Sequence, residues 1–272
     1  MARTRPVFSL ISRSLIPYHS LRNEGRKAEG MANDYSCIGF PVNADADLNR
    51  LYTDNRALLD RMETPEGTAE VLRRDDGPAL WFYGLPGRPV QPALCEPGLN
   101  TGTGYRVRAR KRCRSTESPC PVWELKFENE GSAFMLPMLL LNHLDHPICA
   151  GTVCRAKPAL FPRTLRIYAD REDFLANQPG HLDCPSVLLW KDPAHKEIRE
   201  PLARMTGFAV DSALRINPLT GLPYAVLTLD CFGFRFPVAA DPDLLDGVLP
   251  QSGSVLSGIF RICGTASRED GQ

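Results

Sequence analysis

The chain has 272 residues, of which 43% are hydrophobic and 24% charged, a globular composition that argues against wholesale disorder. Its 32 Lys and Arg balance 32 Asp and Glu, so the formal net charge of zero does not support attraction of the whole molecule to nucleic acid or an anionic membrane. The longest apolar run, 134–141, contains a proline and is much shorter than the roughly 20 residues of a membrane-spanning helix.

Residues 1–30 differ from the rest of the chain. Arginines 3, 5, 13 and 22 are interleaved with Ser and Leu, and no acid occurs before residue 24. An organellar targeting peptide has this composition, but no amphipathic repeat of useful length is visible. We therefore expect a disordered tail, or a leader that precedes a start at Met31.

The nine cysteines indicate a reducing compartment. Their number is odd, no Cys-x-x-Cys occurs, and Cys231 and Cys263 lie inside apolar runs. We interpret them as buried or free thiols and expect a cytoplasmic protein.

In chain order, a short buried strand is predicted at Cys37–Val42. A helix then follows, capped by Asn43 or Asp45, with apolar residues at helical spacing as far as Met62. Next comes a hairpin around the Asp-Gly turn at 74–78. The segment 84–104 is rich in Pro and Gly and is expected to be an irregular connection.

Strands are predicted at 105–114, 122–128 and 163–170, and Asp170 is expected to cap a short helix that ends before Pro179. A polar stretch, 191–206, leads to a C-terminal block of β-branched and aromatic runs divided by Gly, Pro and Asn, which is typical of a small barrel or sandwich.

Six residues could ligate zinc: His143, His146, Cys149, Cys154, His181 and Cys184. Two His and two Cys within twelve residues could provide the N and S ligands of a tetrahedral ion. However, the spacing H-x2-H-x2-C-x4-C is not that of a known zinc finger. Loop histidines beside buried cysteines are the simpler interpretation.

The strand 105–114 carries the densest positive charge. Alternation would place Arg106, Arg108, Arg110 and Arg112 on one face, where they could bind phosphates. Glu124 and Glu128 follow closely and could neutralise this row across a hairpin, which is the outcome we expect.

The C-terminal block resembles an oligonucleotide/oligosaccharide-binding (OB) barrel, since Gly253-Ser-Val-Leu-Ser-Gly258 matches the phrase that introduces the closing strand of that family. The chain from Ser36 onward also resembles a group of uncharacterised bacterial proteins through Gly39–Val42, Asn217–Gly221, Ala240–Pro242 and Gly253–Gly258. More weakly, residues 36–84 resemble a module of the glyoxalase/bleomycin-resistance type, although they contain no His to supply its metal site.

The predicted fold class is α+β and β-rich. A mixed α/β unit is expected over 31–200, a small OB-like antiparallel β-barrel over 205–266, and a tail at 267–272. Because no catalytic constellation is evident, the favoured function is a non-catalytic binding or protein-interaction module without a cofactor, with an unidentified protein partner.

Two alternatives to that function stay open. One is a metal-dependent enzyme of zinc or glyoxalase type, and the other is polyanion or nucleic-acid binding through 105–114. Nucleic acid is the less expected partner, because the net charge is zero and the C-terminal block has more Asp than Arg.

Overall fold

A computed structural model of the chain describes residues 33–74, 77–100, 102–113, 118–178, 183–189 and 200–268. These residues form thirteen strands and only two α-helices, α1 (Asp45–Asp54) and α2 (Arg171–Asn177). The prediction of a β-rich protein is therefore confirmed. Within the described residues, no helix combines the length and apolarity that a membrane crossing would require.

The first sheet is an antiparallel meander in the order β1-β2-β3-β4. Its strands are β1 (Leu59–Thr64), β2 (Gly67–Arg73), β3 (Pro78–Gly84) and β4 (Gln91–Leu99). Every residue of β3 is buried, because one face of the sheet packs on α1 and the other on the second sheet. On the α1 side, the rings of Tyr52 and Phe82 meet edge to face at 5.2 Å.

The second sheet contains the nine remaining strands and is organised around two long neighbours, β8 and β13. β8 pairs with β13 in antiparallel fashion along nearly their whole lengths, from Cys154–Arg268 to Tyr168–Val255. The strands are β5 (Tyr105–Cys113), β6 (Val122–Asn129), β7 (Ser132–Leu140), β8 (Val153–Tyr168), β9 (Ser186–Leu189), β10 (Leu202–Ile216), β11 (Pro223–Cys231), β12 (Phe234–Ala240) and β13 (Val255–Arg268).

Two circuits of hydrogen-bonded strands share this β8–β13 ribbon. One runs β8-β5-β6-β7-β13, and the other runs β8-β12-β11-β10-β13. Each contains a short parallel contact: Val238 with Leu160 in the second circuit, and Cys263–Gly264 with Leu139–Leu140 in the first. The C-terminal strands 202–268 therefore form a circuit only together with β8.

Side-chain alternation along the ribbon separates two apolar cores. On β8, Phe161 belongs to a core shared with the first sheet, whereas its neighbour Leu160 belongs to a core enclosed by the second sheet. On β13, Cys263 belongs to the core shared with the first sheet, and its neighbour Ile262 belongs to the core enclosed by the second sheet. Successive strand residues face opposite sides, so both faces of the ribbon are buried over this stretch.

A buried ionic network joins the two sheets and the segment that precedes α1. Arg261 on β13 is only 8% exposed, and its guanidinium donates to Glu96 Oε2 on β4 at 2.5 Å and to Asp34 Oδ2 at 3.1 Å. Arg163 on β8 donates to Asp34 Oδ1 at 2.9 Å. The buried Arg261 thus lies between two buried carboxylates, and the partly exposed Arg163 contacts Asp34 as well, an arrangement in which buried charges are tolerated.

Several N-terminal predictions are wrong, and a mixed α/β unit is not evident over 31–200. The predicted strand at Cys37–Val42 contains instead a 3-10 turn at Ser36–Ile38, which ends at Gly39 with φ of 72°. Helix α1 ends at Asp54, and Met62 lies in β1, because pairing with β2 overrides the helical spacing. The connection predicted at 84–104 contains β4, an edge strand that pairs with β3 through Cys95–Leu99 and again at Gln91.

Other predictions agree with the structure. β2 and β3 form the hairpin that flanks 74–78. Asp170 caps α2, since its Oδ1 accepts from the Asp173 amide at 2.8 Å. β10, β11, β12 and β13 occupy the four strand-like runs of the C-terminal block. The division of the chain between 200 and 205 stays a prediction, and the β8–β13 ribbon pairs strands from both sides of it.

We expect Arg261→Met to lower the free energy of unfolding by about 3–5 kcal/mol, because it leaves Asp34 and Glu96 buried without their shared cation. Denaturant titration of the full chain measures this loss. The matched control is Arg166→Met, an exposed arginine on β8, which should change stability by less than about 0.5 kcal/mol.

Adding Glu96→Gln to Arg261→Met should recover part of the loss, since the double variant buries one charge fewer. A loss below about 1 kcal/mol for Arg261→Met, with no coupling to Glu96, would show that the network does not stabilise the fold.

Candidate functional site

The structure does not bring the predicted zinc ligands together. His143 is half-buried, with Nδ1 3.3 Å from the Leu140 carbonyl oxygen and its ring 5.6 Å from that of Tyr83. His146 is partly buried, and its Nε2 lies 3.2 Å from Asp145 Oδ2. Cys149 is exposed and contacts the Thr152 hydroxyl at 3.1 Å.

The remaining predicted ligands are in other places. Cys154 is buried in the core enclosed by the second sheet, and Cys184 packs with Tyr168 and Phe174 in a separate cluster. His181 lies outside the described residues. Over the described ranges, no group of three or more His, Cys, Asp or Glu side chains is arranged to hold a metal ion.

The cysteines are structural thiols. None of the nine forms a disulfide, and all except Cys149 are buried. Burial raises the pKa of Cys37 and of Cys263 to about 12 and that of Cys184 to about 11. These thiols stay protonated at neutral pH and behave as small apolar groups rather than as nucleophiles.

The basic strand is present as β5, but its arginines do not form one row. A β-bulge between Ala109 and Lys111 shifts the pairing with β6, so the alternation changes at Arg110. Arg108 lies opposite Lys126, and after the bulge Lys111 lies opposite Glu124. The prediction that Arg112 shares a face with Arg106 and Arg108 is therefore wrong: it aligns with Trp123.

Acidic residues of β6 neutralise this face only in part. Lys126 forms an ion pair with Glu128. The pKa of Glu128 is lowered by that lysine first, and further by Arg108 and Arg110. The cations of the outer face outnumber Glu124 and Glu128, because β8 adds two more to those of β5 and β6. They are Arg106, Arg108, Lys111, Lys126, Arg155 and Lys157.

A cleft of about 300 Å³ opens where the first sheet meets the outer face of the β8–β13 ribbon. The first sheet lines one wall with Arg61 and Arg73, and β8 lines the other with Arg155 and Lys157. Apolar side chains complete the lining, chiefly Met62, Trp81, Leu99 and Leu141. A cleft of this kind, with a few charged groups over an apolar surface, is typical of ligand sites.

The two walls differ in how their cations are neutralised. Arg73 Nε lies 3.1 Å from Asp60 Oδ2, and Arg61 contacts Glu70 at 3.5 Å. Arg155 and Lys157, in contrast, form no ion pair within 4 Å among the described residues.

The two β8 cations project from the same exposed face of the strand, two residues apart and opposite Ser267 and Thr265 of β13. Gly104 leaves room for Arg155, since a Cβ at that glycine would lie 2.7 Å from Arg155 Nε.

This cleft was not evident from the sequence. Its lining comes from strands that are far apart in the chain, and Arg155 and Lys157 stand singly between apolar residues. The alternation Cys154-Arg155-Ala156-Lys157 was the available signal, because it marks one polar face of a strand.

Comparisons of the chain with protein-family models, curated proteins and solved structures found no match. The resemblances to the OB barrel, to the uncharacterised bacterial group and to the glyoxalase-type module therefore stay hypotheses.

The pKa of His143 yields a prediction about acid stability. Burial lowers this pKa below its ordinary value of 6.5, and nearby Arg112 lowers it further, against the opposing effect of the Leu140 carbonyl. The pKa of His143 is therefore lower in the folded chain than in the unfolded chain. The unfolded chain takes up the proton first, so the stability contributed by the neutral His143 is complete above pH 6.5 and is lost as pH falls through the folded pKa.

We expect His143→Gln to lose less stability than the unmodified chain between about pH 7.5 and pH 5.5, where the unfolded histidine takes up a proton. Melting temperatures across this range measure the difference. Parallel curves for His143→Gln and the unmodified chain would contradict the assignment.

Proposed function

We propose that this protein is a non-catalytic binding module whose cleft takes a small anionic ligand with an apolar portion. The observation that carries the proposal is the pair Arg155 and Lys157, which face an open cleft and form no ion pair among the described residues. An anionic group bound between them gains two charge-assisted contacts.

The opposite wall contributes little net charge, because Arg61 and Arg73 are ion-paired with Glu70 and Asp60. The positive charge available to a ligand is therefore that of Arg155 and Lys157. The apolar surface of Met62, Trp81 and Leu141 offers a place for the uncharged part of the same ligand. Asn142, which also lines the cleft, is held by two hydrogen bonds to the backbone of Ala266. Its Nδ2 donates to the Ala266 carbonyl oxygen, and its Oδ1 accepts from the Ala266 amide.

The metal-dependent alternative has less support. Of its six predicted ligands, the five that the structure describes lie apart from one another. No group of three or more possible metal ligands occurs among the described residues. A glyoxalase-type site has no histidine in 36–84. We retain the interpretation of a protein without a cofactor and, given the buried thiols, a reducing cytoplasmic environment.

We also propose an OB-like relationship for the C-terminal strands. In its favour, β10 pairs with both β11 and β13, β11 pairs with β12, and β8 provides the fifth strand of the circuit. The alternating Phe232, Phe234 and Phe236 pack with Phe127 and Phe134 and so belong to the core. This arrangement argues for a barrel that binds through a surface other than exposed aromatic rings.

Isothermal titration calorimetry with phenyl phosphate, inorganic phosphate and phenol tests the cleft. We expect phenyl phosphate to bind more tightly than either fragment, because it carries both an anionic group and an apolar ring. Arg155→Gln or Lys157→Gln should weaken its binding by about fivefold each, the upper range for one exposed charge contact.

The matched control is Arg166→Gln, which removes an exposed arginine from the far end of the same strand and should leave the affinity unchanged. Equal affinities for phenyl phosphate in all four proteins, or stoichiometric metal in protein purified without metal-affinity steps, would overturn the proposal.

A further inference from the structure

We infer that an acidic, extended polypeptide segment of a partner protein binds along the outer face of β5, β6 and β8, next to the cleft. The inference rests in part on the proposed function, since Arg155 and Lys157 belong to both surfaces. The other cations of this face, Arg106, Arg108, Lys111 and Lys126, lie outside the cleft.

The register of the strands fixes the spacing of these cations. Arg106 lies opposite Arg155, and Arg108 lies opposite Val153, two residues further along. Residues two apart on one strand face are about 6.8 Å apart, and neighbouring strands are separated by about 4.8 Å. An extended polypeptide repeats its side chains on one face with the same spacing of about 6.8 Å. Carboxylates two positions apart can therefore meet Lys157 and Arg155, and the next one can reach Arg108, which lies on the neighbouring strand about 8 Å diagonally from Arg155.

Two like charges face each other across β5 and β6, where Arg108 lies opposite Lys126. Lys126 is ion-paired with Glu128, whereas Arg108 forms no ion pair within 4 Å among the described residues. A carboxylate of a partner placed beside Arg108 would reduce the repulsion between these two cations.

The two acids on the face favour a polypeptide over a nucleic acid. Glu124 lies opposite Lys111, and Glu128 lies close to Arg108 and Arg110. A uniformly charged phosphate backbone meets both carboxylates unfavourably, whereas a polypeptide can place a neutral or basic residue there. Aromatic rings for base stacking are also absent from this face, because the described Trp123 and Phe127 are buried in the core.

The experiment uses the full chain and a fluorescein-labelled peptide of alternating Ser and Glu, about twelve residues long, which matches the spacing of the face. Fluorescence anisotropy at about 50 mM salt should show binding that weakens steeply by about 300 mM, because exposed charges are screened. A peptide of alternating Ser and Gln should not bind.

Substitutions of opposite sign sharpen the test. The triple variant Arg108→Gln, Lys111→Gln, Lys126→Gln should weaken peptide binding by about tenfold or more, as expected for three charge contacts at the surface. Glu124→Gln with Glu128→Gln should tighten it. The control, Arg166→Gln with Arg171→Gln and Arg215→Gln, removes the same charge from exposed positions elsewhere and should change binding by less than about twofold.

Calorimetry with phenyl phosphate distinguishes this inference from the proposed function, because the triple variant leaves the cleft residues in place. If the unmodified chain binds phenyl phosphate but not the acidic peptide, the inference is overturned and the proposed function is not. If it binds neither ligand, both are overturned. Tighter binding of an oligothymidylate of similar length would assign the face to nucleic acid instead. Self-association at low salt, seen by sedimentation without peptide, would assign it to a second copy of the chain.

Discussion

β8 and β13 are hydrogen-bonded to each other over most of their lengths, and both circuits of the second sheet use this ribbon as a shared side. Its two faces belong to two different cores, so a change in register would exchange buried and exposed residues on both sides at once. Gly258 shows how close the strands lie, since a Cβ there would be 2.1 Å from the Thr164 carbonyl oxygen. The ribbon therefore fixes the positions of the remaining strands, including those that line the cleft.

The ionic network connects the β8–β13 ribbon to the first sheet. Arg261 and Arg163 project from the ribbon to Asp34 and Glu96, which belong to the segment before α1 and to β4. A guanidinium group satisfies its partners only over a narrow range of distances and angles, so the network restricts how the two sheets can move relative to each other. The cleft lies at the boundary of the same two sheets. None of the four charged residues of the network lines the cleft, so the contacts that join the sheets there are separate from those that the cleft offers to a ligand.

Charge is segregated on a chain whose net charge is zero. Cations collect on the outer face of β5, β6 and β8, whereas the segment from Gly207 to Ala266 has more Asp than Arg. Field strength near a surface depends on local charges within about 8–10 Å at physiological salt rather than on the total. A neutral chain can therefore present a positive binding surface, and the cleft continues that surface toward the first sheet.

The sequence by itself determined the β-rich class, the C-terminal strands, the β2–β3 hairpin, the cap at Asp170 and the burial of most cysteines, because each depends on local pattern or turn chemistry. Only the tertiary structure decided that Met62 lies in a strand, since pairing with β2 competes with a helical spacing that the same residues also satisfy. It also separated the predicted metal ligands and moved Arg112 away from the basic row through a bulge at Arg110. The cleft required the assembled sheets, because Arg73, Trp81 and Arg155 become neighbours only through strand pairings that join distant parts of the chain.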